Sequence, residues 1–269
     1  MYLKSDHNQI LQAGSLKTLN YLQYFDLSHN KVASTDYINH GRLKHLILNY
    51  NEISTLKGVN GPPLNQFKLR SLETLEIRGN QIESTEGLGF LHDLKTLYFG
   101  ENLLKSVEDI SGLRGLVRLH LRDNHIATLD GFLQGPTKLE YLNLRGNKIN
   151  RWSEVKKLKS LVTLKVLVLS DNPIADRDLY RPVVLGMMPF LTRLDKDKTT
   201  EEEIAEAVDF YVKLPENALE LEDEEEARLH EHLAETKLED GGEVEGENTG
   251  VEATPRQNSE GAEENEEED

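Results

Sequence analysis

The chain has 269 residues, of which 37% are hydrophobic and 29% charged, and it contains no cysteine. This composition supplies apolar material for one sizeable core or two modest ones, and the lack of cysteine excludes disulfides and cysteine-ligated metals. No window approaches the roughly 20 apolar residues of a membrane span, and the amino terminus lacks a basic region followed by an apolar stretch, so we expect a soluble, intracellular protein without membrane contact.

The formal net charge of −17 is unevenly distributed along the chain. Residues 1–198 hold 21 acidic and 27 basic residues, or +6, whereas residues 199–269 hold 27 acidic and 4 basic residues, or −23. Like charges at the density of the second part repel one another and resist collapse. We therefore expect one folded domain, residues 1–198, followed by an acidic extension.

A motif of the form Leu-x-x-Leu-x-Leu-x-x-Asn-x-Ile, with conservative substitutions, occurs seven times in the first part. Its asparagines are Asn30, Asn51, Asn80, Asn102, Asn124, Asn147 and Asn172. The Leu-x-Leu alternation is typical of a short strand with one buried face, and segments such as 156–161 have the apolar spacing of short helices or 3₁₀ turns. Stacked, these units predict an α/β leucine-rich-repeat solenoid with short parallel strands on the concave face and helices or turns outside. The asparagines are interpreted as an internal hydrogen-bonded spine.

Both ends of the repeat array have a predicted structure. Leu3, Asn8 and Ile10 fit a partial first repeat. Residues 172–196 resemble the C-terminal cap of intracellular leucine-rich-repeat proteins, and we expect its larger apolar side chains to cover the last apolar layer. These side chains are Tyr180, Val184, Leu185 and Phe190.

The acidic extension divides into two predicted segments. Residues 200–203 form a capping box, and the apolar positions that follow indicate a helix, which Pro215 interrupts before a second helical stretch at about 219–238. Residues 199–240 are thus predicted as an acidic helical extension and residues 241–269 as a disordered acidic tail. Ile204, Val208 and Tyr211 either fold back on the cap or form a secondary site for a partner helix.

The search for reactive groups points away from an enzyme. The sequence lacks a phosphate-binding loop, a His-Glu-x-x-His zinc motif, a nucleophile elbow and an EF-hand loop. Acidic pairs on an open curved sheet are not desolvated, so they would not acquire the shifted pKa that acid-base catalysis needs. We expect no catalytic residue, metal, cofactor or small-molecule substrate.

The outward-facing positions between the buried leucines are more informative. They include several tyrosines and arginines, the residue types enriched at binding hot spots. The candidate partner-binding residues on the concave face are Tyr24, His45, Glu76, Arg78, Tyr98, Arg118, His120, Arg122, Tyr141 and Arg145. Either the arginines pair with Glu76, Asp123 and Glu140 on a solvated surface, or they bind an acidic or mixed segment of another protein. Nucleic acid fits poorly, because four arginines lack the charge density of a phosphate track and the extension would repel a polyanion.

Several strings of residues carry a family resemblance. The segments 72–85, 119–126, 141–147, 171–173, 188–196 and 201–207 resemble the leucine-rich repeat-containing protein 23 family, and the resemblance covers about residues 15–210. It implies a non-enzymatic radial-spoke component of the axoneme in motile cilia and flagella, part of the cytoplasmic cytoskeleton, with other axonemal radial-spoke proteins as partners and a role in spoke assembly and motility.

Two other families share this layout. The order of repeats, cap and acidic tail also resembles acidic nuclear leucine-rich phosphoproteins, which act as histone chaperones and phosphatase inhibitors, although those have fewer repeats and a denser acidic tail. The repeat length and the cap also resemble the phosphatase-1 regulatory subunit. Both alternatives imply binding proteins rather than enzymes.

Overall fold

A computed structural model describes residues 1–12, 19–35, 38, 40–56, 69–108 and 110–239. The chain divides into two compact units, Met1–Glu225 and Glu226–Asp269. The first unit contains all the repeats, and the described part of the second, residues 226–239, is helical. The tail predicted at 241–269 lies outside the described residues.

The described residues contain ten short strands, which form one sheet in chain order. They are β1 Tyr2–Lys4, β2 Tyr24–Asp26, β3 His45–Ile47, β4 Thr74–Glu76, β5 Thr96–Tyr98, β6 Arg118–His120, β7 Tyr141–Asn143, β8 Val166–Val168, β9 Arg193–Leu194 and β10 Asp197–Lys198. Neighbouring strands are parallel except β9 and β10, which are antiparallel. One parallel strand per repeat confirms the predicted solenoid, and β1 belongs to the partial first repeat.

Each strand is short because only its central residue faces the core. In β3, β4, β5, β7 and β8 the central side chain is buried and its two neighbours are half-buried on the opposite face. The central residues of β2 to β8 are Phe25, Leu46, Leu75, Leu97, Leu119, Leu142 and Leu167, each at most 1% exposed. Burying one such side chain contributes about 1.5–3 kcal/mol, so the column supplies a continuous core along the repeats.

The side opposite the sheet is built from turns and short helices. The 3₁₀ segments are Leu88–Phe90, Asp130–Phe132, Leu158–Ser160 and Pro173–Asp176. One α-helix, α1 Trp152–Lys157, precedes the third of these, and it buries Trp152 and Val155. The period of the repeat leaves room for about one turn here, which is why longer helices do not form within the repeats.

The asparagine column forms the internal spine that the motif predicts. In the middle of the array, Asn124 Nδ2 donates to the carbonyls of Phe99 at 3.1 Å and Leu121 at 3.0 Å. Its Oδ1 accepts the backbone N–H of Leu104 at 3.1 Å. The pattern recurs from Asn30 to Asn172, and all seven asparagines are buried. Each asparagine therefore joins two successive repeats by satisfying buried backbone groups.

The residue before each asparagine lies in the left-handed backbone region. These residues are His7, His29, Tyr50, Gly79, Glu101, Asp123, Gly146 and Asp171, with φ between 53° and 67°. The conformation costs a non-glycine residue about 1–2 kcal/mol, and the hydrogen bonds of the adjacent asparagine hold it in place. These eight residues lie beyond the ends of the strands and form a second column beside the sheet, which we call the turn column. Six of them, all but Gly79 and Gly146, contribute a side chain to it.

Helix α2, Tyr180–Met187, closes the array. Its buried side chains include Val183, Val184 and Leu185, and Tyr180 is 9% exposed. The hydroxyl of Tyr180 donates to Asp195 Oδ2 at 2.8 Å, while Asp195 Oδ1 accepts the backbone N–H of Leu169 at 2.7 Å. Helix α2 therefore packs its apolar side chains against the core at this end of the array, and Asp195 satisfies a backbone N–H of the last repeat.

Helix α3, Glu201–Lys213, packs on α2. The Thr200 hydroxyl accepts the backbone N–H of Glu203 at 3.1 Å, as the capping box predicts. A Cβ added at Gly186 would lie 2.4 Å from the Cβ of Tyr211 and 2.6 Å from the carbonyl oxygen of Ala207. The close approach of the two helices thus depends on a glycine in α2.

Helix α4, Ala218–Glu239, begins in the first unit, where two acidic residues attach it to α1. Asp223 accepts the backbone N–H of Trp152 at 2.8 Å and of Ser153 at 3.0 Å, and Glu222 accepts the Trp152 indole N–H at 2.9 Å. Arg177 Nη1 lies 3.3 Å from both carboxylates. A carboxylate at a helix start satisfies unpaired N–H groups, so the extension caps a helix about seventy residues earlier in the chain.

Candidate interaction surface

The sheet face collects the first and third residues of each strand. Register places Tyr24, His45, Arg118 and Tyr141 in one row of cross-strand neighbours, and Glu76, Tyr98 and His120 in the other. Arg78, Arg122 and Arg145 come two residues after the ends of their strands. The structure therefore places all ten predicted residues on this face or along its border with the turn column. Their role in partner binding stays a prediction.

Three of these residues form an aromatic stack across β5, β6 and β7. The ring centroids of Tyr98 and His120 are 4.4 Å apart, and those of His120 and Tyr141 are 4.7 Å apart. Burial, and after it the positive charges of Arg118 and Arg122, lower the pKa of His120 to about 4. The imidazole is therefore neutral at pH 7, and the stack is an uncharged, half-buried patch.

The arginines are not free cations, because carboxylates of the turn column hold them. Glu101 bonds Arg78 and also accepts from Arg122 Nη2 at 3.4 Å, and Arg145 Nε donates to Asp171 at 2.6 Å. Burial would raise the pKa of Glu101, but hydrogen bonds and charges from Arg78 and Arg122 outweigh it, so the pKa lies below its usual value.

One interpretation of the sequence is that the arginines pair with Glu76, Asp123 and Glu140. The structure shows this for Asp123 and not for the other two acids. Asp123 does lie 3.5 Å from Arg122 Nε. Glu76 instead accepts from the Asn49 side chain at 2.9 Å, and Glu140 pairs with Lys165 at 2.9 Å. Asn49 comes two residues after β3, and Glu140 and Lys165 directly precede β7 and β8. Both acids therefore meet a polar group of the adjacent repeat that is not an arginine.

The sequence reasoning missed the partners that the turn column supplies. Arg78 bonds Glu101 and lies 5.5 Å above the ring of Tyr50, so both neighbours come from positions directly before a spine asparagine. His29 stacks on Tyr50 at 4.7 Å, which extends the same column toward the amino terminus. The sequence does contain a signal for these partners, because an alignment of the repeats on their asparagines puts Tyr50, Glu101 and the other turn residues in one column.

Tyr24 and His45 form a separate cluster at the amino-terminal end of the sheet. Their ring centroids are 6.1 Å apart, and Tyr2 lies 5.5 Å from Tyr24 on the other side. Burial raises the pKa of Tyr24, and so do the negative charges of Asp26 and Glu76. The predicted set thus contains an aromatic cluster near acidic groups at one end and an arginine-rich part with the Tyr98–His120–Tyr141 stack toward the other.

The secondary site on α3 is half-buried. Ile204, Val208 and Tyr211 each keep part of their side chain accessible, while Ala207 on the same helix is 3% exposed. Tyr211 and Leu214 pack against the apolar core, and Lys159 lies 5.5 Å above the Tyr211 ring. Helix α3 therefore folds back on the cap, and the accessible parts of Ile204 and Val208 are what a partner could contact.

Neither a metal site nor a membrane span is found in the described part of the chain. Its histidines, aspartates and glutamates form no group of three that could hold a metal ion. None of its helices is both long and apolar enough to cross a bilayer.

The leucine-rich repeat family model matches residues 64–219. Human leucine-rich repeat-containing protein 23 is 44% identical over 228 residues, which covers 77% of this chain and 58% of that protein. The chain thus spans less than two thirds of the length of this curated relative. The match confirms the resemblance carried by the repeat strings.

Shorter matches reach two other kinds of protein. Acidic leucine-rich nuclear phosphoprotein 32 family member A of Drosophila melanogaster is 38% identical over 87 residues, or 32% of this chain and 33% of that protein. Cilia- and flagella-associated protein 410 of mouse is 38% identical over 87 residues, or 32% of this chain and 34% of that protein.

Among solved structures, an internalin from Listeria monocytogenes aligns with a TM-score of 0.60 at 24% identity, covering 74% of this chain and 56% of that one. At this identity the likeness concerns the fold alone, and it agrees with the repeat architecture described above.

Proposed function

This chain belongs to the leucine-rich repeat family, and we propose that it is a non-enzymatic protein-interaction scaffold whose sheet face docks a subunit of the radial spoke in the axoneme of motile cilia and flagella. On this proposal it acts in spoke assembly and motility, and its partners are other axonemal radial-spoke proteins.

The observation that carries the docking role is the half-buried stack of Tyr98, His120 and Tyr141 with arginines on both sides. Aromatic and arginine side chains supply most of the energy in many protein interfaces. The stack lies on a sheet whose backbone is held by the asparagine spine, so little entropy is lost on ordering the surface when a partner binds.

The charges on this face favour a partner segment of mixed character. Arg78, Arg122 and Arg145 each have a carboxylate partner, supplied by Glu101, Asp123 or Asp171. A purely acidic ligand would have to displace these pairs. A segment that covers the rings and exchanges hydrogen bonds with the existing pairs avoids that cost.

The ciliary location is supported by two likenesses. The repeat strings resemble the family that implies a radial-spoke component, and one distant relative is named as associated with cilia and flagella. Since the chain spans 58% of its human relative, the partners of a longer protein could also use segments outside it.

The test is incorporation into axonemes isolated from cells that lack the native protein. The double variant Arg122→Glu with Arg145→Glu should abolish incorporation without a matching loss of melting temperature, because exposed ion pairs contribute only about 0–1 kcal/mol each. Lys31→Glu with Lys148→Glu, two exposed lysines just after spine asparagines, makes the same change in charge and should incorporate normally. Normal incorporation of the arginine variant would refute the dock.

A second candidate function is binding of histones or phosphatase-1, which the match to an acidic nuclear phosphoprotein and the extension of net charge −23 favour. Pull-down with core histones and with phosphatase-1 separates it from the spoke scaffold. Sub-micromolar binding to either, together with a nuclear or cytosolic location of the tagged chain in ciliated cells, would replace the first proposal.

A further inference from the structure

A groove lies at the edge of the sheet where the loops enter the strands, opposite the turn column. Its volume is ≈ 710 Å³, and the cationic side chains that line it are Lys44, Lys95, Arg114 and Lys138. We call it the basic groove. Lys44 and Lys95 directly precede β3 and β5, and Arg114 and Lys138 lie in the loops before β6 and β7. None of the four belongs to the sheet-face site.

Two of the four cations already hold a carboxylate. Lys44 Nζ lies 2.8 Å from one oxygen of Glu73, and Lys95 Nζ lies 2.7 Å from the other. Hydrogen bonds from Lys44 and then Lys95 lower the pKa of Glu73 to about 2. Two lysines of the groove therefore stabilise a carboxylate in its lining, and this contact is an example of the ligand chemistry that the groove accepts.

The other two cations are open to a ligand. Arg114 and Lys138 are exposed, and neither has an acidic group within 4.0 Å in the part of the chain that the structure describes. Asp93 is the second acid of the lining, so the four cations exceed the acids by two. A ligand with carboxylates could pair with Arg114 and Lys138 without breaking any contact seen here.

The repeat geometry sets the length of that ligand. The cations span the interval from β3 to β7, four steps between neighbouring strands, and such steps are about 4.8 Å each, or about 19 Å in all. An extended peptide advances about 3.3 Å per residue. About six residues would therefore follow the row.

We propose that the basic groove binds an extended acidic segment, about six residues long, of a partner protein. Glu73 and Asp93 interrupt the cationic row, so a ligand must place its negative groups around them. Side chains of a peptide can be spaced to do so, whereas the charges of a polyphosphate chain are continuous and would meet both carboxylates. The groove and the sheet face are separate surfaces, so a single chain could hold two partner segments.

The experiment measures binding of fluorescently labelled decaglutamate to the full chain by fluorescence polarisation at low and physiological salt. Arg114→Glu with Lys138→Glu should weaken binding at least about tenfold, because two attractions become repulsions. Lys31→Glu with Lys148→Glu makes the same change in net charge at exposed lysines after spine asparagines, and it should change the affinity less than about twofold. Decaglutamine should not bind.

The outcomes separate this proposal from the sheet-face dock. Arg122→Glu with Arg145→Glu should leave decaglutamate binding intact, and an equal loss there would move the acidic segment to the sheet face and overturn the groove. Equal losses from the control lysines, or no binding at all, would also overturn it. Tighter binding of inorganic polyphosphate through Arg114 and Lys138 would identify a phosphate site instead. Far-UV circular dichroism of each variant verifies the fold. Arg114, Lys138, Lys31 and Lys148 are all exposed, so neither double variant should unfold the chain.

Discussion

Replacing Asn124 by alanine removes one member of the spine in the middle of the array. The carbonyls of Phe99 and Leu121 lose a donor, and the backbone N–H of Leu104 loses its acceptor while Leu104 stays fully buried. An unsatisfied buried polar group costs about 1–3 kcal/mol. With one N–H and two carbonyls affected, we expect the free energy of unfolding to fall by about 3–5 kcal/mol. This is a large fraction of the about 5–15 kcal/mol that stabilises a typical domain.

The variant Asn124→Asp tests the donor role of the amide separately from its acceptor role. It keeps an acceptor for the backbone N–H of Leu104 but replaces the amide donor by an oxygen that faces the carbonyls of Phe99 and Leu121. A buried carboxylate next to carbonyls is repelled as well as desolvated. The aspartate variant should therefore be at least as unstable as the alanine variant at pH 7, and it should regain stability on acidification as the carboxylate takes up a proton.

The assay is urea unfolding followed by far-UV circular dichroism and by the fluorescence of Trp152, the single tryptophan. Because repeat arrays can unfold in stages, the two transitions must coincide before a free energy is assigned. Asn20→Ala, at an exposed position, is the matched control and should change stability by less than about 0.5 kcal/mol. A difference below about 1 kcal/mol between Asn124→Ala and this control would refute the assignment of the spine.

Three further predictions concern pH, the cap and the extension. The pKa of His120 is lowered from 6.5 to about 4, so the unfolded chain binds more protons than the folded chain between these pH values. Stability should therefore fall by about 1.5 kcal/mol from pH 6.5 to 5, and His120→Gln should flatten this fall in urea titrations. Tyr180→Phe removes the 2.8 Å hydrogen bond to Asp195 and should cost about 1.5–3 kcal/mol, measured as the shift in urea midpoint. Gly186→Ala should push α3 off the cap and speed proteolysis at 199–215, whereas Gly41→Ala, with nothing within 4 Å of the added carbon, should not; equal digestion rates would contradict the packing.

The arginines show how far the site could be read from the sequence. The period of the motif placed Arg78, Arg122 and Arg145 on one face, since every second residue of a strand points the same way. Their partners Glu101 and Asp171 belong to a neighbouring repeat and lie in turns rather than in strands. The direction of a side chain in a left-handed turn does not follow from strand alternation, so the pairs with Glu101 and Asp171 were not predicted.

The contact between the extension and α1 was beyond any local pattern. Capping boxes are recognised because the cap and the helix are neighbours in sequence, but here Asp223 caps Trp152 and Ser153, and Arg177 comes from a third segment. Asp223 is the single aspartate in residues 219–226, but no local pattern there marks it or Glu222 as the partner of a helix in an earlier segment.

The sequence by itself determined the repeat, the parallel sheet and the asparagine spine, because each depends on residues that recur at one period and satisfy the same buried backbone groups in every unit. Only the tertiary structure decided which charges meet across repeats, that the sheet face is close to neutral, and that a separate basic groove lies at the other edge. Those features depend on the three-dimensional stacking of turns and loops, where side chains from different repeats come together at separations that the motif does not encode.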